Sequence, residues 1–423
     1  MLDVKSYEQY LREVEFIKSF LYKGGKTFYS RNTSVKRMAY FLDLLGNPQK
    51  NINFVLVGGT SGKGSVSNFI YQALLANGVK CGLHTKPYLT SPVEEVSVNG
   101  KFISAEEYIR LSRKIKSVMS KAASSKFGIP AYMDVLTAMA ILAFKEKSVK
   151  WAVVEVGLGG RFDRTNVLQA RLAVVTSVSK DHVANIGPRL QDIAWHKAGI
   201  IKRGEKAAVL GKIPPAVKRI FIDEAKKSRV PVTWIDTKTQ HGFYDSNRRI
   251  ALSAVELLKS SLLPQIDLRK AEKAMLKTKI AGRLEFAGSD KTTILDAAHN
   301  PEKAEWLAES LRHAGVRKVN LVFGALQSHD YGKMISALAP ITNKAYLTQP
   351  IVENRAAADI SKIAGGFEKR GIKTFQALDP MDAYDMAKKG KLPVLVTGSL
   401  FLVGNVRSIW WPETRILNER KNI

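Results

Sequence analysis

Gly59-Thr60-Ser61-Gly62-Lys63-Gly64-Ser65 decides the reading of this chain, because its flanks make it a phosphate cradle. Phe54-Val55-Leu56-Val57 ahead of it is a short apolar run of strand character, and Val66 to Leu75 behind it places apolar residues at helical spacing. A strand that feeds a glycine-rich turn into a helix gathers backbone N–H groups and the positive helix end at one point, which binds phosphate without special side chains. In that geometry Lys63 reaches the β- and γ-phosphates, and a hydroxyl from Ser65 or Thr60 lies near Mg²⁺. Gly64 stands where the strict P-loop pattern has Ser or Thr, so the match is imperfect. ATP binding is the expectation, set against a glycine turn that merely joins strand to helix.

The rest of the chain limits what can surround that cradle. At 423 residues it is long for one core, so two domains are expected. A hydrophobic content of 45% with 25% charged residues is that of an ordinary soluble globular protein. The longest apolar run, Val135 to Phe144, is too short to span a membrane and reads as a core helix. The N-terminus carries no basic leader followed by an apolar core. Cys81 is the only cysteine, which excludes an internal disulfide and a thiolate metal cluster. A cytoplasmic protein is expected. The formal charge of +28 attracts polyanions such as nucleic acid, anionic lipid, nucleotides or polycarboxylates. Its lysines and arginines are spread along the chain without a nucleic-acid-binding signature, so no specific nucleic acid and no membrane partner is expected.

Residues 7 to 45 read as helical, broken at Gly24-Gly25. Beyond the cradle, strands at Trp151 to Val156, Leu172 to Ser177 and Ala207 to Leu210 alternate with helices, which argues a parallel sheet covered on both faces. Ala251 to Lys259 and Leu268 to Leu276 read as helices leading to a boundary near residue 288. A second α/β series follows, with strands at Thr292 to Leu295, Val319 to Phe323, Lys344 to Thr348 and Val394 to Thr397, and a helix from Glu302 to Ala314. The fold class expected is α/β: a P-loop parallel-sheet ATPase domain over 1–288, then a smaller Rossmann-like α/β domain over 289–423, with the active site at their junction.

Ligands in open α/β sheets gather at the carboxyl ends of strands. Glu155 sits at such an end, where a carboxylate is costly without a cation; a Mg²⁺ ligand beside a P-loop is its natural use, and capping of a neighbouring backbone is the alternative. Asp181-His182 follows the next strand and could add to a metal or phosphate site, although a lone histidine is more often structural. Lys197 lies in the apolar stretch Ile193 to Ile200; a buried lysine there needs a partner or a modification that changes its charge, although spacing alone favours a lysine that snorkels to the surface. Asp296 and His299-Asn300-Pro301 end the second domain's first strand, again a ligand position, though Asn-Pro is also an ordinary helix start. Arg283, just before the boundary, could clamp phosphate across a cleft.

Together these segments resemble the folylpolyglutamate synthase/dihydrofolate synthase family of Mur-type ATP-dependent amide ligases. The likeness runs from Leu45-Gly46-Asn47-Pro48-Gln49 nearly to the C-terminus. It is carried by Gly59 to Ser65, Glu155-Val156-Gly157-Leu158-Gly159-Gly160-Arg161-Phe162-Asp163, Asp181-His182 and Lys197-Ala198-Gly199-Ile200-Ile201-Lys202. Gly282-Arg283-Leu284-Glu285, Asp296 to Pro301 and Gly398 to Gly404 complete the series. The family's P-loop has the extra glycine that made Gly64 look like a defect. The resemblance implies ligation of L-glutamate to a folate carboxylate through an acyl phosphate, with ATP as co-substrate and Mg²⁺ as cofactor; a monovalent cation is a further candidate. It implies Ser65, Glu155 and His182 at the metal and a carbamylated Lys197. It places Asn247 at the adenine, and Arg283, Asp296 and His299 on the nucleotide. Dihydropteroate is the alternative acceptor, and a monomer is expected.

The chain also departs from the family pattern. The usual Thr-Ser-Pro-His-Leu is Thr85-Lys86-Pro87-Tyr88-Leu89, so a lysine replaces a serine that normally contributes to a Mg²⁺ site. Lys86 could displace that cation with its ammonium, contact phosphate, or mark altered activity. The usual Glu-Arg is Glu94-Glu95, the Glu before the modified lysine is His196, a His-Gln pair is Phe243-Tyr244, and Asp134 replaces a Glu. Lys86, Tyr88 and Asp134 are thus candidates on the acceptor side. Two rivals remain open at this stage: a Mur-type ligase for another carboxylate, and an ATP-binding homologue that has lost ligation.

Overall fold

The computed structural model describes residues 2–23, 33–180, 183–237, 243–353 and 355–421. Its first half is built on eight strands: β1 (Asn53–Gly58), β2 (Cys81–His84), β3 (Val96–Val98), β4 (Lys101–Phe102), β5 (Trp151–Glu155), β6 (Ala170–Ser177), β7 (Ala207–Lys212) and β8 (Val232–Trp234). They lie in the order β4-β3-β2-β5-β1-β6-β7-β8, and the pairs from β2 to β8 are parallel. β3 and β4 run antiparallel at one edge.

The central strands carry continuous apolar runs, Phe54 to Val57, Trp151 to Val154 and Leu172 to Val175, because both faces are covered. In β1, Phe54 and Leu56 face one core while Val55 and Val57 face the other. The helices Val4–Lys18, Thr33–Leu44, Ala105–Ala123 and Tyr132–Glu146 pack on the first face, and Lys63–Ala76, Phe243–Ser261 and Leu268–Lys277 on the second. The expected core helix around Val135 to Phe144 is present and buried throughout.

The second half has its own sheet, made of β9 (Glu285–Ala287), β10 (Thr293–Leu295), β11 (Val319–Phe323), β12 (Thr342–Leu347), β13 (Lys373–Gln376) and β14 (Val394–Thr397). The order is β13-β12-β11-β14-β10-β9, parallel except for β9. Here too the faces alternate, with Leu321 and Phe323 in one core and Val322 in the other. β9 precedes residue 288, so the second sheet begins on the N-terminal side of the expected division. The last helix, Glu413–Glu419, returns to the first half and inserts Ile416 and Leu417 into its core.

Within residues 7 to 45, the described parts form three helices, Val4–Lys18, Phe20–Lys23 and Thr33–Leu44; Gly24-Gly25 lies outside the described residues. β2 escaped the sequence reading because Cys-Gly-Leu-His has no apolar alternation. Its Gly82 is a packing requirement, since a Cβ there would lie 2.5 Å from the Phe144 ring.

Candidate active site

The glycine-rich turn leaves β1 and enters the helix Lys63–Ala76 as the sequence required. Gly59 has φ +141° and Gly62 has φ +85°, both in the region that side chains avoid. A Cβ on Gly59 would strike the Thr176 hydroxyl, and one on Gly62 would strike Oδ1 of Asn247. The turn is braced from the end of β6. The Ser61 N–H donates to Ser177 Oγ at 3.0 Å, and Thr176 Oγ1 donates to the Ser61 carbonyl at 2.5 Å. Thr60 Oγ1 donates to the Ser179 carbonyl at 3.2 Å and accepts from its N–H at 3.1 Å. Lys63 Nζ folds back onto the Thr60 carbonyl at 3.2 Å. The main-chain cradle is therefore preformed, and Lys63 sits at its mouth.

Glu155, at the end of β5, lies against the first turn of this helix: a Cβ on Gly64 would sit 3.3 Å from Glu155 Oε2. That contact supplies a spatial reason for glycine after the lysine. Glu155 is 6% exposed and, with Lys63 and Ser65, lines a cleft that encloses about 70 Å³. Among the described residues no group of three or more His, Cys, Asp or Glu side chains could hold a metal. One carboxylate and one hydroxyl beside a phosphate cradle still suit Mg²⁺, which takes few protein ligands and completes its shell with water and substrate phosphates. Asp181 and His182 lie outside the described residues.

Lys197 lies in the last turn of the helix Leu190–Ala198 and is 4% exposed, so it is buried and does not snorkel to the surface. Its main chain adjoins the glycine loop that follows Glu155, for a Cβ on Gly160 would lie 3.4 Å from Lys197 Cα. His196 packs edge-on to Phe162 and Trp195. Burial, with Arg161 and Lys197 nearby, holds its imidazole below the usual range.

The second half closes the cleft. Arg283 and Asp296 line it opposite Lys63. Asp296 is buried; its Oδ2 accepts from the Leu284 N–H at 2.9 Å and the Tyr244 hydroxyl at 3.2 Å, and its Oδ1 accepts from the Ala298 N–H at 3.0 Å. Burial pushes its carboxyl up, while Arg283 and these donors pull it back. His299 is set behind the wall, with Nδ1 2.9 Å from the Ala297 carbonyl and Nε2 3.0 Å from Lys303 Nζ. Burial and the Lys303 charge hold it well below the usual histidine range, so it is neutral: Nδ1–H donates to the carbonyl and Nε2 accepts from Lys303. Lys303, which sequence reasoning passed over, is the member of this group that lines the cleft. Asn300 caps the helix Pro301–His313 through the Lys303 N–H, and this cap fixes where Lys303 points.

Asn247 lines an adjoining cavity of about 270 Å³ with Ser61 and Ser177, and its Nδ2 is buried without a hydrogen-bond partner among the described residues. An open donor in a cavity beside the cradle suits a ligand acceptor such as a ring nitrogen. Phe243 and Trp306 line both cavities and form the partition between them. Glu302 was also missed: its Oε2 accepts from Ser179 Oγ at 2.9 Å and Ser61 Oγ at 3.3 Å. Only the fold brings that carboxylate to the phosphate loop.

The acceptor-side candidates separate. Asp134 is fully buried and saturated by Arg37, 2.6 Å from Oδ2, and Arg164, 2.7 Å from Oδ1, away from the cleft lining. The loop of residues 85–95 is organised by Glu94, whose Oε2 accepts from the N–H groups of Leu89, Thr90 and Ser91. Tyr88 is held by its N–H, which donates to Glu95 Oε1 at 3.3 Å. The Lys86 N–H donates to Glu155 Oε2 at 3.1 Å. Arg407, on the helix Leu400–Arg407, ties this loop to the second half: Nη1 donates to Glu94 Oε1 at 3.1 Å and Nε to Glu285 Oε2 at 3.0 Å. Gly404 lets the Leu89 carbonyl lie on the same helix, as a Cβ would come within 2.2 Å of it.

A phosphate cradle on one α/β unit faced by a buried Asp and an Arg from a second unit is the architecture of an ATP-dependent ligase, and family comparison agrees. Residues 57–285 match the Mur ligase middle domain and residues 282–400 the Mur ligase glutamate ligase domain. The chain is a Mur ligase, a class of ATP-dependent, ADP-forming enzymes. It is 30% identical to the dihydrofolate synthase/folylpolyglutamate synthase of Bacillus subtilis over 90% of this chain and 96% of that protein. It is likewise 30% identical to the Mycobacterium tuberculosis protein of that name, over 89% and 90% respectively. The structure of Mycobacterium tuberculosis folylpolyglutamate synthase complexed with ADP superposes with a TM-score of 0.86 at 29% identity, covering 96% of this chain and 98% of the other. The chain belongs to the dihydrofolate synthase/folylpolyglutamate synthase family. No helix among the described residues is long and apolar enough to cross a membrane.

Proposed function

We propose that this chain joins L-glutamate to the carboxylate of a folate at the expense of ATP, as a folylpolyglutamate synthase, with dihydropteroate as a second acceptor. The observation that carries the reading is the Gly59–Ser65 cradle facing Arg283 and Asp296 across one cleft. The working units are 1–288 for ATP and 289–423 for ligation, the last helix serving as a strap back to the first. The cradle N–H groups and Lys63 hold the β- and γ-phosphates and absorb charge as the phosphoryl group moves to the acceptor carboxylate. ADP leaves, and an acyl phosphate is formed. The glutamate amine then attacks the acyl carbon, loses its proton, and inorganic phosphate departs. Arg283, at the junction of the two units, clamps the nucleotide, and Asp296 of the second unit holds the Leu284 main chain and Tyr244 beside it. Asn247 offers its open Nδ2 donor to the adenine.

Mg²⁺, held by Glu155 and Ser65 with His182 as the family-implied third ligand, would neutralise the phosphates when bound. Lys197 fits a carbamate, because that modification turns a buried cation into an anion near Glu155. A monovalent cation, a monomeric state and a cytoplasmic location complete the proposal. The purified protein with ATP and Mg²⁺ should release ADP only when a reduced folate or dihydropteroate and L-glutamate are both supplied. Release that ignores either substrate contradicts the assignment. A second reading, ligation to a different carboxylate, draws support from the Lys86 and Glu95 loop, and the same assay across other acceptors separates the two.

A further inference from the structure

The helix Pro301–His313 turns one face to the cleft: Lys303, Trp306, Leu307 and Ser310 line it together, at the spacing of a single helix stripe. The residue before Lys303 seats that stripe on the phosphate loop. Glu302 Oε2 accepts from Ser61 Oγ at 3.3 Å and from Ser179 Oγ at 2.9 Å, so the first turn of the helix rests on the loop itself. Lys303 therefore stands at the phosphate end of the stripe, with Trp306 one turn further along. Its main chain is fixed on both sides. Asn300 Oδ1 accepts from the Lys303 N–H at 2.9 Å, and Ala304 is buried in the core of the second unit. Its ammonium is aimed as well: Lys303 Nζ donates to His299 Nε2 at 3.0 Å, while His299 Nδ1–H donates to the Ala297 carbonyl at 2.9 Å. A ring that accepts at one nitrogen and donates at the other is neutral, so it orients the ammonium without adding or cancelling charge.

We propose that Lys303 binds the phosphates of the nucleotide, as a cation that the second unit adds to Lys63 and the main-chain cradle, and that His299 is the positioning residue that aims it. The proposal rests on the ATP reading of the cleft and deepens it. Lys63, Arg283 and Lys303 all line the one cleft, and they come from the first unit, the junction and the second unit in turn. A phosphate tail held among them meets charge-assisted donors from each side. Donors fixed before the ligand arrives cost no reorganisation when charge shifts along that tail. The neutral His299 ring serves this end, because a carboxylate in its place would hold the ammonium equally well and blunt its pull on an anion. His299 thus acts on the nucleotide through Lys303.

The test is calorimetric titration of the full chain with ADP and with adenosine, which lacks the phosphates. Lys303→Met keeps the apolar stem and removes the charge. Its affinity for ADP should fall about ten- to a hundredfold, the worth of a hydrogen bond to a charged group. Its affinity for adenosine should not change, which also shows that the variant is folded. Lys303→Arg, which keeps a cation, should recover most of the ADP affinity. His299→Leu should weaken ADP in the wild-type background and add nothing to Lys303→Met, because both changes remove the same contact. Unchanged ADP affinity in Lys303→Met, or equal losses for ADP and adenosine, would overturn the role of Lys303. A His299→Leu loss that adds in full to that of Lys303→Met would overturn the positioning role. A wild-type chain that binds no ADP would strike the ATP reading itself, whereas variants that bind ADP as the wild type does would strike this inference alone.

Discussion

Phe243 and Trp306 stack face to face across the two halves of the molecule, with ring centroids 3.9 Å apart and planes within 11°. The pair is the partition between the cleft at Lys63 and the cavity at Asn247. Phe243 opens the helix that carries Asn247, and Trp306 lies on the helix that carries Lys303. An aromatic pair of this kind contributes about 0.5–1.5 kcal/mol beyond its buried area. Phe243→Ala should raise the KM for ATP roughly three- to tenfold, by that energy, with a smaller change in kcat. Steady-state kinetics at saturating acceptor and glutamate checks this, and an unchanged KM would mean that the stack does not shape the nucleotide site.

Glu302 places a negative charge at the loop that receives the phosphates, held by Ser61 and Ser179 with Lys212 3.7 Å away. Glu302→Gln keeps the hydrogen-bond acceptor and removes the like charge. Nucleotide affinity should then rise several-fold, because a like charge at the phosphate loop opposes the incoming phosphates. Calorimetric titration with ADP reads the effect directly. Weaker binding would show that Glu302 acts through closure of the two halves and that its charge is of no consequence to the phosphates.

Arg407 is 1% exposed and bridges Glu94 and Glu285, so its removal strands two buried carboxylates. Arg407→Ala should lower stability by about 3–5 kcal/mol. Urea unfolding gives the number. Because Glu94 also caps the loop N–H groups, the variant should lose acceptor affinity more than ATP affinity. A stable Arg407→Ala protein with normal acceptor kinetics would remove Arg407 from the account.

His84 gives a pH signature. Its ring is buried, Nδ1 3.0 Å from the Glu95 carbonyl and Nε2 3.2 Å from Thr137 Oγ1, and burial pushes its pKa down to about 3. The unfolded histidine takes up a proton near pH 6.5 while the folded one refuses it. Above that pH the group costs nothing. Between pH 6.5 and about 3 the unfolded state binds one proton more, so stability falls as pH falls, by up to tenfold in the folding constant per unit. Denaturation midpoints for the wild type and His84→Asn across pH 7 to 4 should show a shallower slope in the variant. Equal slopes would assign the acid sensitivity elsewhere, His299 being the next candidate because its pKa is also depressed.

The fold was legible where strands are buried on both faces, because β1, β5 and β6 hold continuous apolar runs and their alternation with helices argues a parallel sheet; the strand order was not legible. β2 was not, since its burial depends on Gly82 fitting under Phe144, a contact between residues far apart in the chain. The nucleotide side of the site was legible because a main-chain cradle leaves glycines at fixed spacing. Lys303, Glu302 and Arg407 were not: each is an ordinary charged residue on a helix, and its meaning comes from what the fold sets opposite it. Phe243-Tyr244 was visible as a departure, and the structure supplies its sense, since one ring stacks on Trp306 and the other hydroxyl bonds Asp296. Lys86 and Glu95 likewise looked like two separate anomalies in sequence. In the fold both side chains are buried within reach of each other's charge, burial holding the Lys86 pKa down and pushing the Glu95 pKa up to about 8.

Product analysis tests the central claim most directly. The protein is incubated with ATP, Mg²⁺, L-glutamate and a reduced folate or dihydropteroate, and the acceptor is then examined by mass spectrometry. The account predicts an acceptor heavier by one glutamyl residue joined through an amide, formed in step with ADP and absent when Lys63 is replaced by Ala. ATP binding with no glutamyl product on any folate or pteroate acceptor would contradict it.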